Sequence, residues 1–86
     1  MSDKIYRFTA SWCQPCKMLA KNLEESSLDV PIEVVDIDVH TEMATQYGIR
    51  SIPTLVFVSG EQEKSRLIGV KTSAEINTWA LTAQMA

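Results

Sequence analysis

Of the 86 residues only two are cysteine and only one is histidine. Structural zinc normally takes four Cys or His ligands. Three such residues fall short of that, unless a second chain completes a half-site. No basic run is present. Eight Lys and Arg stand against eleven Asp and Glu, a formal net charge of −3, which argues against a general affinity for nucleic acid or acidic membranes. Long apolar runs are missing too. The longest lies near residues 52–58 and is interrupted by Pro53, far short of the roughly 20 residues that span a bilayer. The first residues, Met1-Ser2-Asp3-Lys4, are polar, and no apolar segment of a secretory leader follows them. These absences lead to the expectation of a cytoplasmic protein without a membrane segment. In that compartment a cysteine pair is catalytic or metal-binding more often than a structural staple.

What is present fits one folded unit. Hydrophobic residues make up 45% and charged residues 22% of the chain, ordinary for a globular domain. Neither a linker, a repeat nor a low-complexity tract divides it, so a single domain over residues 1–86 is expected. A chain this short buries only about 60–65% of its unfolded surface, and modest stability follows.

Residues 5–9 read as a short strand. Residues 15–26 read as a helix, because Cys16, Leu19, Ala20 and Leu23 recur at i, i+3, i+4 and i+7. Residues 32–39 are rich in β-branched side chains and read as a second strand. Residues 41–47 suit a short helix with Met43, Ala44 and Tyr47 inward and Gly48 as its stop. Residues 54–58 and 65–68 form a hairpin around the turn Ser59-Gly60-Glu61. Thr72-Ser73-Ala74-Glu75 is a capping box opening a last helix, along which Ile76, Trp79, Ala80 and Ala83 repeat. The order βαβαββα implies one parallel crossover followed by an antiparallel hairpin. Trp79 at this spacing reads as core, and His40 as a polar loop residue.

The two cysteines stand together in Trp12-Cys13-Gln14-Pro15-Cys16-Lys17. A strand running through a Cys-x-x-Cys into a helix is suited to making and breaking disulfides. It places both sulfurs on the first helical turn, where backbone N–H groups lack partners and the macrodipole favours a thiolate. Cys16 shares the apolar stripe and is expected to be sheltered; Cys13 is expected at an exposed tip. Pro15 suits the first turn.

Several separated segments resemble the thioredoxin family. They are Phe8 through Lys17, the run Tyr47-Gly48-Ile49-Arg50-Ser51-Ile52-Pro53-Thr54, then Phe57, Gly60, Glu61 and Gly69. The resemblance covers nearly the whole chain from Ile5. It implies an α/β thioredoxin-like fold, here minimal: a four-stranded mixed sheet flanked by three helices. It further implies Cys13 as nucleophile and Cys16 as resolving cysteine, with no cofactor beyond their redox-active disulfide. Trp12, Gln14, Pro15, Ile52, a cis Pro53 and Gly69 would position the substrate. Three departures accompany the resemblance. The family's usual first strand and helix have no counterpart, which leaves a sheet edge exposed. Gln14 stands at a position usually glycine. Arg7 occupies the place of a buried acid that assists proton transfer at the second cysteine, a role a guanidinium cannot take. Arg7 could lower a thiol pKa, or else snorkel to the edge or pair with Asp36 or Asp38. Lys17 reads as a solvated charge near the site.

The activity implied is reduction of protein disulfides by a monomeric electron carrier. Electrons would come from a thioredoxin reductase or an equivalent donor, and ribonucleotide reductase is a typical client. Two alternatives differ in class. One is a glutaredoxin-like enzyme using glutathione, suggested by the shortened fold. The other is a non-catalytic subunit that binds a partner through the exposed edge.

Overall fold

Thr54–Ser59 is the most continuously buried strand among the described residues, with every residue but the last out of solvent. In the computed structural model, which describes residues 2–86, this strand is β3, and the sheet is assembled around it. The elements are β1 (Asp3–Thr9), α1 (Gln14–Glu24), β2 (Ile32–Asp36), α2 (Thr41–Gln46), β3, β4 (Gln62–Ile68) and α3 (Ser73–Met85). The strand order is β2-β1-β3-β4. β1 pairs with β2 in parallel, while β1 with β3 and β3 with β4 are antiparallel. This is the expected mixed four-stranded sheet with three helices.

Alternation along the strands divides the core into two layers. On one face Ile5, Leu55 and Phe57 pack with Leu19 of α1 and with Ile76 and Ala83 of α3. On the other, Phe8, Val35, Val56 and Val58 pack with Tyr6, Met43 and Tyr47. α3 opens as its sequence requires. The Thr72 hydroxyl accepts from the Glu75 N–H at 3.2 Å, and the Glu75 carboxylate accepts from the Thr72 N–H at 3.0 Å. α2 closes at Gly48, whose φ of +61° is the left-handed value that favours glycine.

Several boundaries, and the burial of one helix, differ from the sequence-based expectation. β2 stops at Asp36 instead of running to residue 39. The Asp36 carboxylate accepts from the Asp38 N–H at 2.8 Å, and its carbonyl accepts from the His40 N–H at 2.8 Å, so a turn replaces the ladder. α1 ends at Glu24, because the N–H groups of Glu25 and Ser26 bond to Asn22 and Leu23, a tightened last turn. β4 begins at Gln62, three residues early, with a register shift opposite Phe57 and Val58. In α2, Met43 and Ala44 are half-buried and no residue is fully buried. Its short apolar face only partly covers the sheet.

Candidate redox site

The loop from β1 to α1 puts Cys13 at the N-cap, in extended backbone, and its sulfur accepts from the Cys16 N–H at 3.2 Å. That bond uses one of the N–H groups a helix start leaves unpaired. No acidic side chain lies in the first turn, so nothing there opposes negative charge at the sulfur. Cys13 and Cys16 are joined as a disulfide with their Cα atoms 5.3 Å apart, inside the ordinary range for such a bond.

Both sulfurs are covered, which corrects the expectation of an outward Cys13. Cys13 is 4% exposed and Cys16 is 1% exposed. The helix tip itself is exposed at Gln14 and Pro15, but Ala10, Ile37 and Ile52 pack against the two cysteines. The loop carrying Ile52 arrives from the far side of α2, a contact that helical spacing alone could not reveal.

The remaining motif residues sit around this centre. The Ile52–Pro53 bond is cis. The Gly69 N–H donates to the Pro53 carbonyl at 2.9 Å, which ties the start of β3 to the end of β4. Gly69 has φ +91°, outside the range most side chains adopt. Trp12 is 66% exposed and donates its indole N–H to Asp38 Oδ2 at 2.8 Å. It borders a cleft of about 290 Å³ with Ile37, Ile49 and Ile52. Gln14 and Pro15 are exposed on the first turn of α1. Sequence reasoning singled out neither Ile37, which closes over the sulfurs, nor Asp38 as the partner of Trp12. The alternation of Asp36, Ile37, Asp38 and Val39 was the signal available, but it pointed to a strand face and not to a turn beneath the site.

Arg7 pairs with neither Asp36 nor Asp38. Asp38 holds Trp12 and Asp36 holds the turn. Arg7 is half-buried and lines a second cleft with Cys16, and desolvation pushes its guanidinium below the usual range. Lys17 and His40 are exposed. Among the described residues no three His, Cys, Asp or Glu side chains cluster as a metal site, and no helix is long and apolar enough to cross a membrane.

Residues 2–82 match the family profile described as Thioredoxin. The chain is 45% identical over 67 residues to the thioredoxin of Chlamydia caviae, covering 74% of this chain and 66% of that protein. It is 37% identical over 73 residues to a bifunctional thioredoxin reductase/thioredoxin of Mycobacterium leprae, covering 80% of this chain and 16% of that protein. A variant thioredoxin from Halobacterium salinarum NRC-1 superposes with a TM-score of 0.86 at 25% identity, covering 95% of this chain and 74% of that one. The chain therefore spans less than two thirds of the length of the two curated relatives described. These matches favour neither the glutaredoxin-like reading nor the non-catalytic one. The chain belongs to the thioredoxin family, and Cys13 and Cys16 of its Cys-x-x-Cys motif are joined as a disulfide.

Proposed function

We propose that this protein reduces disulfides of other proteins in the cytoplasm, acting as a monomeric single domain over residues 1–86. Cys13 attacks the substrate disulfide as a thiolate and forms a mixed disulfide. Cys16 then attacks the Cys13 sulfur, the reduced substrate leaves, and the Cys13–Cys16 bond closes. The two-residue spacer makes the second attack intramolecular.

The observation that carries this reading is the placement of the disulfide. It sits on the unpaired first turn of α1 with the Ile52–Pro53 loop beside it. Trp12, Gln14, Pro15, Ile52, Pro53 and Gly69 would position an extended substrate segment there. A thioredoxin reductase is the natural donor, since the Mycobacterium leprae relative is named for both activities in one chain. Ribonucleotide reductase is a client of the expected kind.

The test is reduction of insulin disulfides by dithiothreitol. Catalysis by wild type and only the uncatalysed background with Cys13→Ser is the expected result. Equal rates for the two would overturn the proposal. A reduction potential near about −270 mV fits a reductant, whereas one near about −120 mV would make the protein an oxidant instead.

A further inference from the structure

The cleft that Arg7 shares with Cys16 has a volume of about 300 Å³ and opens at the β2 edge, where Val34 is 53% exposed. Cys16 is part of its lining, whereas Ile37 and Ile52, which pack against the cysteines, are not. The charged groups facing it are Arg7 from β1, Lys17 from α1 and Asp36 from β2. Asp36 already holds the Asp38 N–H. Arg7 has no hydrogen bond or ion pair among the described residues. In the oxidised protein a half-buried cation therefore shares the cleft with Cys16 without an ion-pair partner among the described residues.

We propose that Arg7 is a positioning residue for the second half of the reaction: its fixed positive charge holds Cys16 as a thiolate, so that step needs no general base. The inference rests on the dithiol mechanism proposed above. When the mixed disulfide forms, Cys16 is a free thiol. Its proton passes to solvent through the cleft, and the thiolate left behind supplies the ion-pair partner that Arg7 lacks. Cys16 then attacks Cys13. The Cys13–Cys16 bond forms, the Cys13–substrate bond breaks, and the substrate sulfur leaves as a thiolate that takes a proton from water. The protein loses two electrons and the substrate gains two. Burial by itself would hold Cys16 protonated. A nearby cation reverses that preference, and a guanidinium keeps its charge even when burial lowers its pKa.

The experiment uses the full chain and 5,5′-dithiobis(2-nitrobenzoate). Reduced protein releases one thionitrobenzoate when Cys13 attacks and a second when Cys16 resolves the adduct. Followed by stopped flow against pH, the second release of wild type should titrate at or below the ordinary thiol value of about 8.5. In Arg7→Gln its midpoint should move about one unit to alkaline pH, slowing it about tenfold at pH 7, with the first release unchanged. Arg7→Lys, which keeps a cation, should restore most of the rate. Asp36→Asn should leave the profile of the second release where it is.

A second release that titrates alike in wild type and Arg7→Gln would overturn the proposal. So would a slowing by Asp36→Asn and not by Arg7→Gln, which would identify Asp36 as a base. The wild-type profile tests the idea without any variant: a midpoint above about 9 leaves no role for the cation. A first release without any second would overturn the dithiol mechanism, and this inference with it.

Discussion

The two edges of the sheet are finished differently, and the contrast is clearest in their arginines. On β4, Arg66 donates Nε and Nη2 to the Glu63 carboxylate at 2.7 and 2.8 Å and Nη2 to the Tyr47 carbonyl at 2.8 Å. On β1, one strand in from the β2 edge, Arg7 meets no such partner among the described residues. The environments pull their pKa values apart. The hydrogen bond to Glu63 raises that of Arg66, and burial lowers that of Arg7. β4 is further anchored by α3, where the Trp79 indole donates to Ser65 Oγ at 2.9 Å and packs edge-on against Phe57 at 6.1 Å. β2 has one exposed ion pair, Lys4 with Glu33 at 3.0 Å.

The register adds to this difference. The Ile5 N–H reaches the Pro31 carbonyl and the Ile37 N–H reaches the Thr9 carbonyl. Glu33 and Val35 therefore bond toward β1, and the peptide groups of Ile32, Val34 and Asp36 point away from it. The side chains of Ile32 and Val34 are exposed as well. One edge is a clasped structural element; the other leaves backbone, apolar side chains and a cation accessible together. The lesson is that a charge fixed by partners serves the fold, while a charge kept free of them remains available for chemistry.

Three substitutions would break or sharpen that contrast. Trp79→Ala removes the anchor of β4 and should cost about 3 kcal/mol, read as the shift in urea-unfolding free energy. A cost no larger than that of an exposed residue would show that α3 does not secure this edge. Arg66→Ala should cost about 1 kcal/mol, since its hydrogen bonds are charge-assisted but partly solvated. It should also alter the acid limb. The hydrogen bond from Arg66 holds Glu63 below the usual carboxylate value of 4.5. The unfolded chain thus binds the proton more readily, so this stability is present at neutral pH and fades as pH falls below that value through the folded one. Melting temperatures from pH 7 to pH 3 should fall more steeply for wild type than for Arg66→Ala. Val34→Ala, on the open edge, should change stability by less than about 0.5 kcal/mol. A larger loss in urea would mean that β2 is a packed element after all.

Legibility from sequence varied with the range of the contacts involved. Helices capped by local chemistry were readable. Thr72 and Glu75 bond to each other across one turn, and the stop at Gly48 is set by its own backbone. The end of β2 was not readable, because Val39 suits a strand and only the folded Asp36 carboxylate shows that a turn has begun. Around the disulfide, Cys13 and Cys16 announced themselves. The cover over them did not, because Ala10, Ile37 and Ile52 come from three separate parts of the chain. Arg7 could be singled out as unusual, yet whether it paired with Asp36 or Asp38 depended on where those carboxylates were already committed.

The sequence by itself determined the order of elements, the redox pair and the helix start that supports it, because each follows from residues within a few positions of one another. Tertiary structure alone decided that both sulfurs are covered, that one sheet edge is clasped and the other open, and that Arg7 shares a cleft with Cys16 while unpaired among the described residues. These depend on which distant groups compete for the same partner, and that competition is settled only when the chain closes on itself.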